Sequence, residues 1–165
     1  MSRTRSIKFP NTLTELETLL DKLQRRQCNM VFNTGGLAIK TGGSALAKTV
    51  NVIKYVIDGV YCSKAAADMA ALSGTVTNAK FNVFVFTVQA DGTLKSYMGT
   101  EAATRAGIIW PTIADGEAVI GFVEINPTGT GNFVGGTTAL DDATVVPNAV
   151  YVNTDRPWIP GMETL

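Results

Sequence analysis

From Thr49 to Ala65 the chain reads TVNVIKYVIDGVYCSKA, two β-branched and aromatic runs parted by Asp58-Gly59. That pattern predicts a β-hairpin, because a tight primed turn needs φ > 0, which Asp and Gly tolerate. Lys80 to Gln89, KFNVFVFTVQ, places Phe81, Val83 and Val85 on one face and Phe84, Phe86 and Val88 on the other. A strand with two apolar faces is expected to be central and covered on both sides, by a second sheet, a helix or another subunit. Asp91-Gly92 should turn it into a second hairpin with Thr93 to Met98. Glu117 to Ile125 and Thr144 to Val152 supply two more expected strands, and Pro147 points to an edge position or a bulge in the latter. The paired Thr34-Gly35-Gly36 and Thr41-Gly42-Gly43 bracket a short strand, Leu37-Ala38-Ile39.

One segment has a different period. Leu13, Leu16, Leu20 and Leu23 follow a three-four spacing, Thr12 and Glu15 fit a capping box, and Lys22, Arg25 and Arg26 sit where a helix dipole favours cations. This predicts an amphipathic helix over residues 11–27. Its stripe spans about two heptads, short of the three or four of a coiled coil, so packing on its own sheet and contact with another subunit both stay open. Ser63 to Leu72, SKAAADMAAL, favours a helix but is short, so one or two helical turns or a loop are expected.

The expected organisation is an N-terminal arm over residues 1–10, the helix over 11–27, a β-rich domain over 28–153 and a C-terminal arm over 154–165. The fold class is mainly β, a β-sandwich or barrel-like set of antiparallel sheets. Trp158 and Ile159 lie between Pro157 and Pro160, which excludes a central strand and asks for somewhere to dock, on this domain or a neighbour.

Composition agrees with a compact domain. The chain has 165 residues, 45% hydrophobic and 17% charged, with 16 glycines. That length suits one domain, in which folding buries about two-thirds of the unfolded chain's surface. Formal net charge is zero, from 14 basic and 14 acidic residues. A general attraction to nucleic acid or to an anionic membrane is therefore not expected, although residues 1–26, with Arg3, Arg5 and Lys8 in the arm, hold a local positive excess. The opening MSRTRSIKFP is followed by no apolar stretch of the signal-peptide kind, and no run is long enough to span a bilayer.

Candidate chemistry is sparse. Histidine is absent, which removes Ser-His and Cys-His dyads and the usual zinc ligands. Cys28 and Cys62 lack CxxC spacing; two half-buried thiols in a reducing compartment are favoured over a disulfide, which the sequence leaves open. Gly42 to Thr49, GGSALAKT, imitates a phosphate-binding loop, but Ala47 stands where glycine must precede the lysine, and β-branched residues follow in place of a helix. Gly129-Thr130-Gly131 starts a dinucleotide fingerprint that Val134 breaks. Asp141-Asp142, with Asp115, Glu117 and Glu124 elsewhere, lacks the spacing of a cation loop and reads as an acidic turn. No catalytic residue, cofactor site or metal site is therefore expected. Trp110 and Trp158, in irregular segments, are better interface than ligand candidates.

Two stretches carry a family resemblance. The run VIDGVYCSKAAADMAAL and the later AVIGFVEINPTGTGNFVGGTTALDDA resemble tailed-phage virion structural proteins of the capsid surface or head fibres. The matching residues are Ile57, Asp58, Gly59, Lys64, Ala65 and Ala66, then Gly136, Thr137, Thr138, Leu140 and Asp141. The resemblance covers roughly residues 35–153 and implies a non-enzymatic capsid decoration, cement or head-fibre-base protein. It also implies a homo-oligomer, a trimer above other states, made in the host cytoplasm and mounted on the virion against the major capsid protein or other virion proteins. Bridging elements would be Arg3, Arg5 and Lys8 of the arm, the Leu13, Leu16, Leu20 and Leu23 stripe, and the tail with Trp158 and Ile159, their ordering offset by burial on assembly, while Trp110 stands as a further interface candidate. A tail or baseplate adaptor is the alternative within the virion, and a carbohydrate-binding β-domain is the rival from another class.

Overall fold

The computed structural model describes residues 12–14, 16, 17, 20 and 28–155. Their fold is mainly β, with several antiparallel sheets. The largest has the order β11-β9-β7-β8, from β7 (Asn82–Gln89), β8 (Leu94–Met98), β9 (Glu117–Ile125) and β11 (Val150–Asn153). A second joins β1 (Met30–Val31), β4 (Ile53–Ile57) and β5 (Val60–Lys64) in the order β1-β4-β5. Two short pairs complete the set, β2 (Leu37–Ile39) with β3 (Ala47–Thr49), and β6 (Thr75–Val76) with β10 (Phe133–Val134).

The main core lies between these sheets. Phe84, Phe86 and Val88 of β7 and Ala118, Ile120, Val123 and Ile125 of β9 meet Ile53, Tyr55 and Ile57 of β4, with Val31, Leu37, Val76 and Phe133 from the shorter strands. Burying so many β-branched and aromatic side chains, at about 1.5–3 kcal/mol each, is the main favourable term that holds the sheets together. The other face of β7, through Val83, Val85 and Thr87, is buried too. Its cover comes from the 99–116 segment, which is bridged to the sheet through Phe81↔Ala102, folds on itself through Thr100↔Ile109, and packs Trp110 edge-on against Phe122 of β9 at 4.9 Å. The central strand with two apolar faces is thus covered on both sides within one chain.

β9 carries the sheet's one irregularity. Gly121 faces Phe86 and Val119 faces the next residue, Thr87, so Ile120 is an extra residue that bulges the strand. A side chain at Gly121 would place its Cβ 2.3 Å from Val152 O and 2.7 Å from Leu37 Cδ1, so only glycine lets β11 and β2 approach there.

Of the two outcomes expected for Ser63 to Leu72, helical turns or a loop, the structure takes the second: Ser63 and Lys64 finish β5, and backbone bonds Thr49 N to Ala67 O and Met69 N to Ala47 O lay the rest beside β3 as a loop. Burial of Met69 and Leu72 outweighs the helix propensity of the alanines. The expected Thr144 to Val152 strand shrinks to Val150–Asn153, because Asp142 Oδ1 accepts from Thr144 N and Val145 N and its backbone carbonyl accepts from Val145 N and Val146 N, which winds a turn ahead of Pro147. β11 is an edge strand, the position Pro147 indicated. Thr154, at the start of the expected C-terminal arm, is anchored on β9, its N–H on Ile120 O at 3.1 Å and its hydroxyl on Val119 O at 2.7 Å.

Candidate functional site

The β4-β5 hairpin builds an apolar surface that nothing among the described residues covers. Asp58 (φ 49°) and Gly59 (φ 79°) both take the left-handed region, as a primed two-residue turn requires. The turn fixes the register Tyr55↔Cys62 and Val56↔Tyr61, and β1 adds Met30↔Val56 and Val31↔Tyr55. Alternation then sends Ile53, Tyr55 and Ile57 into the core and leaves Val52, Lys54 and Val56 outside, beside Met30 and Phe32 of the β1 edge and Tyr61 of β5. Phe32 and Tyr61 stack across the face with centroids 6.2 Å apart and planes at 24°. They are 50% and 60% exposed.

β1 is only two residues long and is extended by side-chain amides. Asn29 Oδ1 accepts from Asp58 N at 2.7 Å, and Asn33 Oδ1 accepts from Lys54 N at 2.7 Å while its amide donates to Val52 O at 2.7 Å. These asparagines replace missing ladder bonds and hold Phe32 in place on the face.

The leucine stripe forms a second uncovered surface. Leu13, Leu16 and Leu20 are 72%, 39% and 56% exposed, and Leu16 N donates to Thr12 O at 3.1 Å, the spacing of a helical turn. Leu23, the arm residues Arg3, Arg5 and Lys8, and the tail residues Trp158 and Ile159 lie outside the described residues. Trp110 is half-buried against Phe122, so the structure separates it from the exposed apolar face.

On the opposite side of the large sheet sits a polar cluster that the sequence motifs gave no hint of. The Glu117 side chain is fully buried and accepts from Thr87 Oγ1 at 2.6 Å on one oxygen. Its other oxygen takes Tyr97 OH at 2.9 Å, Gln89 Nε2 at 3.1 Å and the Lys95 ammonium at 3.2 Å. Burial first, and then the hydrogen bond and charge of Glu117, push the Tyr97 phenol up to about 12. With both oxygens occupied, this carboxylate is an acceptor that ties β7, β8 and β9 together. The signal in the sequence was an acid opening the apolar run EAVIGFVEI, on the face that alternation gives to Thr87 and Gln89. Glu124, seven positions on, pairs separately with Arg105 Nε at 2.7 Å, pinning the 99–116 cover.

The remaining candidates resolve into turns. Asp141 accepts from Gly43 N with both oxygens at 3.0 Å, so the residues that imitate a phosphate loop are closed by a carboxylate. Ala47–Thr49 forms strand β3 in place of a helix, but the strand expected to run on through Val50-Asn51-Val52 breaks there, where Val50 N and Asn51 N both donate to Gly35 O and bend the chain before β4. Cys28 and Cys62 are both free. Cys62 borders a shallow recess of about 420 Å³ with Tyr55, Lys64 and Asp91, and Lys48 and Asp68 border another of about 280 Å³. Among the described residues no three metal-ligating side chains gather. Of the two stretches that carry the family resemblance, the first forms the β4-β5 hairpin with its sequel, and the second runs through most of β9 and through β10 into a turn in which Gly136 has φ 74°, Leu140 enters the core and Asp141 holds Gly43. No known protein family, curated protein or solved structure matches this chain.

Proposed function

We propose that this protein is a non-enzymatic structural component of a tailed-phage virion, a decoration or cement protein that bridges neighbouring capsomers and assembles as a homo-oligomer, with a trimer favoured. The observation that carries the reading is the apolar surface left uncovered among the described residues, Phe32 stacked on Tyr61 over a three-stranded sheet together with the open leucines at 13, 16 and 20. Exposed apolar residues gathered on one sheet face mark a contact site, and large aromatics are the residues that contribute most when such a face is covered. The motif resemblance of the hairpin and the Gly136 to Asp141 turn supplies the virion assignment. In this reading the sheets pack as a β-sandwich, the leucine segment is an amphipathic helix, the two terminal arms order on assembly, and no cofactor takes part. Many copies of one modest contact then act together on the capsid lattice.

The test is light scattering of the purified protein, followed by binding to expanded phage capsids. An oligomer that binds them saturably is expected, and a monomer that ignores them overturns the proposal. Binding to tails in place of capsids would establish the adaptor alternative. Quenching of tryptophan fluorescence by glycans, lost on Trp110→Ala or Trp158→Ala, would establish the carbohydrate-binding one.

A further inference from the structure

The β1-β4-β5 sheet ends on an open edge. Phe32 N donates to Lys54 O at 2.8 Å and Lys54 N donates to Asn33 Oδ1 at 2.7 Å, so the backbone of Lys54 is turned toward β1. In an antiparallel ladder the residue opposite then turns its own N–H and C=O out of the sheet, and the residues opposite Lys54 and Val56 are Ser63 and Tyr61. Both are exposed, and among the described residues no strand pairs with β5 on that side. The edges of the large sheet differ: Ser96 Oγ of β8 donates to Ala71 O at 2.8 Å, and Asn153 Oδ1 of β11 accepts from Leu37 N at 2.7 Å. We infer that an extended, acidic segment of a partner protein adds to β5 as a fourth, antiparallel strand, bonded to the main chain of Tyr61 and Ser63. The contact goes beyond the virion reading and does not depend on it.

Charge selects the occupant. Lys54, opposite Ser63 on the outer face, and Lys64, next along β5 on the inner face, have no ion pair among the described residues. A residue of the incoming strand opposite Ser63 shares the outer face with Lys54, about 10 Å away across two strand spacings, and the short serine between them leaves a carboxylate free to reach the ammonium. The residue opposite Lys64 meets that second ammonium directly. Asp91, across the recess beside Lys64, is already engaged, accepting from Thr93 N at 2.8 Å and Thr93 Oγ1 at 2.9 Å. Asp58, in the turn at the other end of β5, repels acids there, so the acids gather at one end of the segment. The remaining side chains alternate as those of β5 do. One opposite Tyr61 packs on its ring, and one opposite Cys62 enters the recess of about 420 Å³ that Tyr55, Cys62, Lys64 and Asp91 border. Main-chain bonds then supply affinity, and these side chains supply specificity. From its N-terminus the antiparallel segment reads acid, acid, small and apolar, opposite Lys64, Ser63, Cys62 and Tyr61.

The probe is the acetylated hexapeptide Thr-Glu-Glu-Thr-Val-Thr, titrated into the full chain and followed by the protein's amide resonances. Saturable shifts centred on Tyr61 and Ser63 are expected, with both amides protected from exchange in the complex. Ser63→Pro removes an N–H that the sheet does not use, so at this edge position the variant should melt close to the wild type and bind no peptide. Glutamine in place of both peptide glutamates should weaken binding about tenfold, the loss of two exposed ion pairs. Lys54→Glu with Lys64→Glu should reject the acidic peptide and accept the same peptide with lysines in place of its glutamates, a readout that remains if Ser63→Pro fails to fold. Absence of saturable binding, shifts centred elsewhere, binding indifferent to peptide charge, or equal binding by a folded Ser63→Pro overturns the inference. Self-association of the wild type that Ser63→Pro abolishes overturns it too, because β5 then pairs with a second copy. Capsid binding judges the virion assignment separately.

Discussion

Tyr97 on β8 donates to Glu117 on β9 at 2.9 Å, reaching over the strand that lies between them. The carboxylate takes Thr87 and Gln89 from that middle strand in the same cluster, so one buried acid fastens three strands at the end of the sheet where β9 begins.

Removing that acid should therefore cost more than removing any one donor. Glu117→Ala strands a buried hydroxyl, a phenol and an amide, and should destabilise by about 3 kcal/mol, within the range for breaking a buried charged contact. Thr87→Val should cost about 1 kcal/mol, and Lys95→Met less than about 1 kcal/mol because the ammonium is 42% exposed. Urea unfolding of the three variants checks the ranking. A Glu117→Ala loss no greater than that of Lys95→Met would mean the cluster does not fasten the sheet.

Alkaline pH should unlock the same region. Burial is the main cause that raises both Tyr97 and Tyr151 from 10.0 to about 12, with Glu117 adding to the first and Asp141 to the second. A phenol whose folded pKa lies above its unfolded value binds its proton more tightly in the native state. Its stabilisation is complete below pH 10 and is lost as pH rises through the folded values near 12. Tyrosinate absorbance should show Tyr97 and Tyr151 titrating near 12, with the Tyr55 phenol also raised by burial, and native stability should fall between pH 10 and pH 12. Tyr97→Phe should flatten part of that decline. A decline identical in wild type and variant would show that Tyr97 is not held protonated by the fold.

Alternation and Asp-Gly turn chemistry make the β4-β5 hairpin, β7, β8 and β9 readable from the residues alone, because each is long enough for its period to speak. The β2-β3 and β6-β10 pairings are not readable in this way. Their strands span two or three residues each, and Phe133 meets Val76 only because the whole core brings them together. Ser63 to Leu72 leaves helical turns and a loop both open, since its alanines favour a helix locally, and the burial of Met69 and Leu72 decides for the loop. The leucine stripe is legible as a stripe. The Phe32–Tyr61 face is not, because strand alternation tells which residues share a face but not which face the rest of the chain will cover.

The bulge at Gly121 offers a separate handle on the edge strand. A Cβ at this position meets Val152 O at 2.3 Å and Leu37 Cδ1 at 2.7 Å, and a backbone oxygen held in the β9-β11 ladder cannot step aside as a flexible side chain would. Gly121→Ala should therefore cost about 3 kcal/mol, at the upper end for overpacking, and should free β11 before the rest of the sheet. Hydrogen exchange should reveal this as lost protection at Val150 to Asn153, with β7 still protected. Gly131→Ala is the control, because a Cβ there meets nothing within 4 Å and the loss of unfolded-chain freedom should stabilise by up to about 1 kcal/mol. Equal stability of the two variants, with β11 still protected in Gly121→Ala, would mean that the bulge tolerates a side chain and that glycine is not what brings β11 and β2 together.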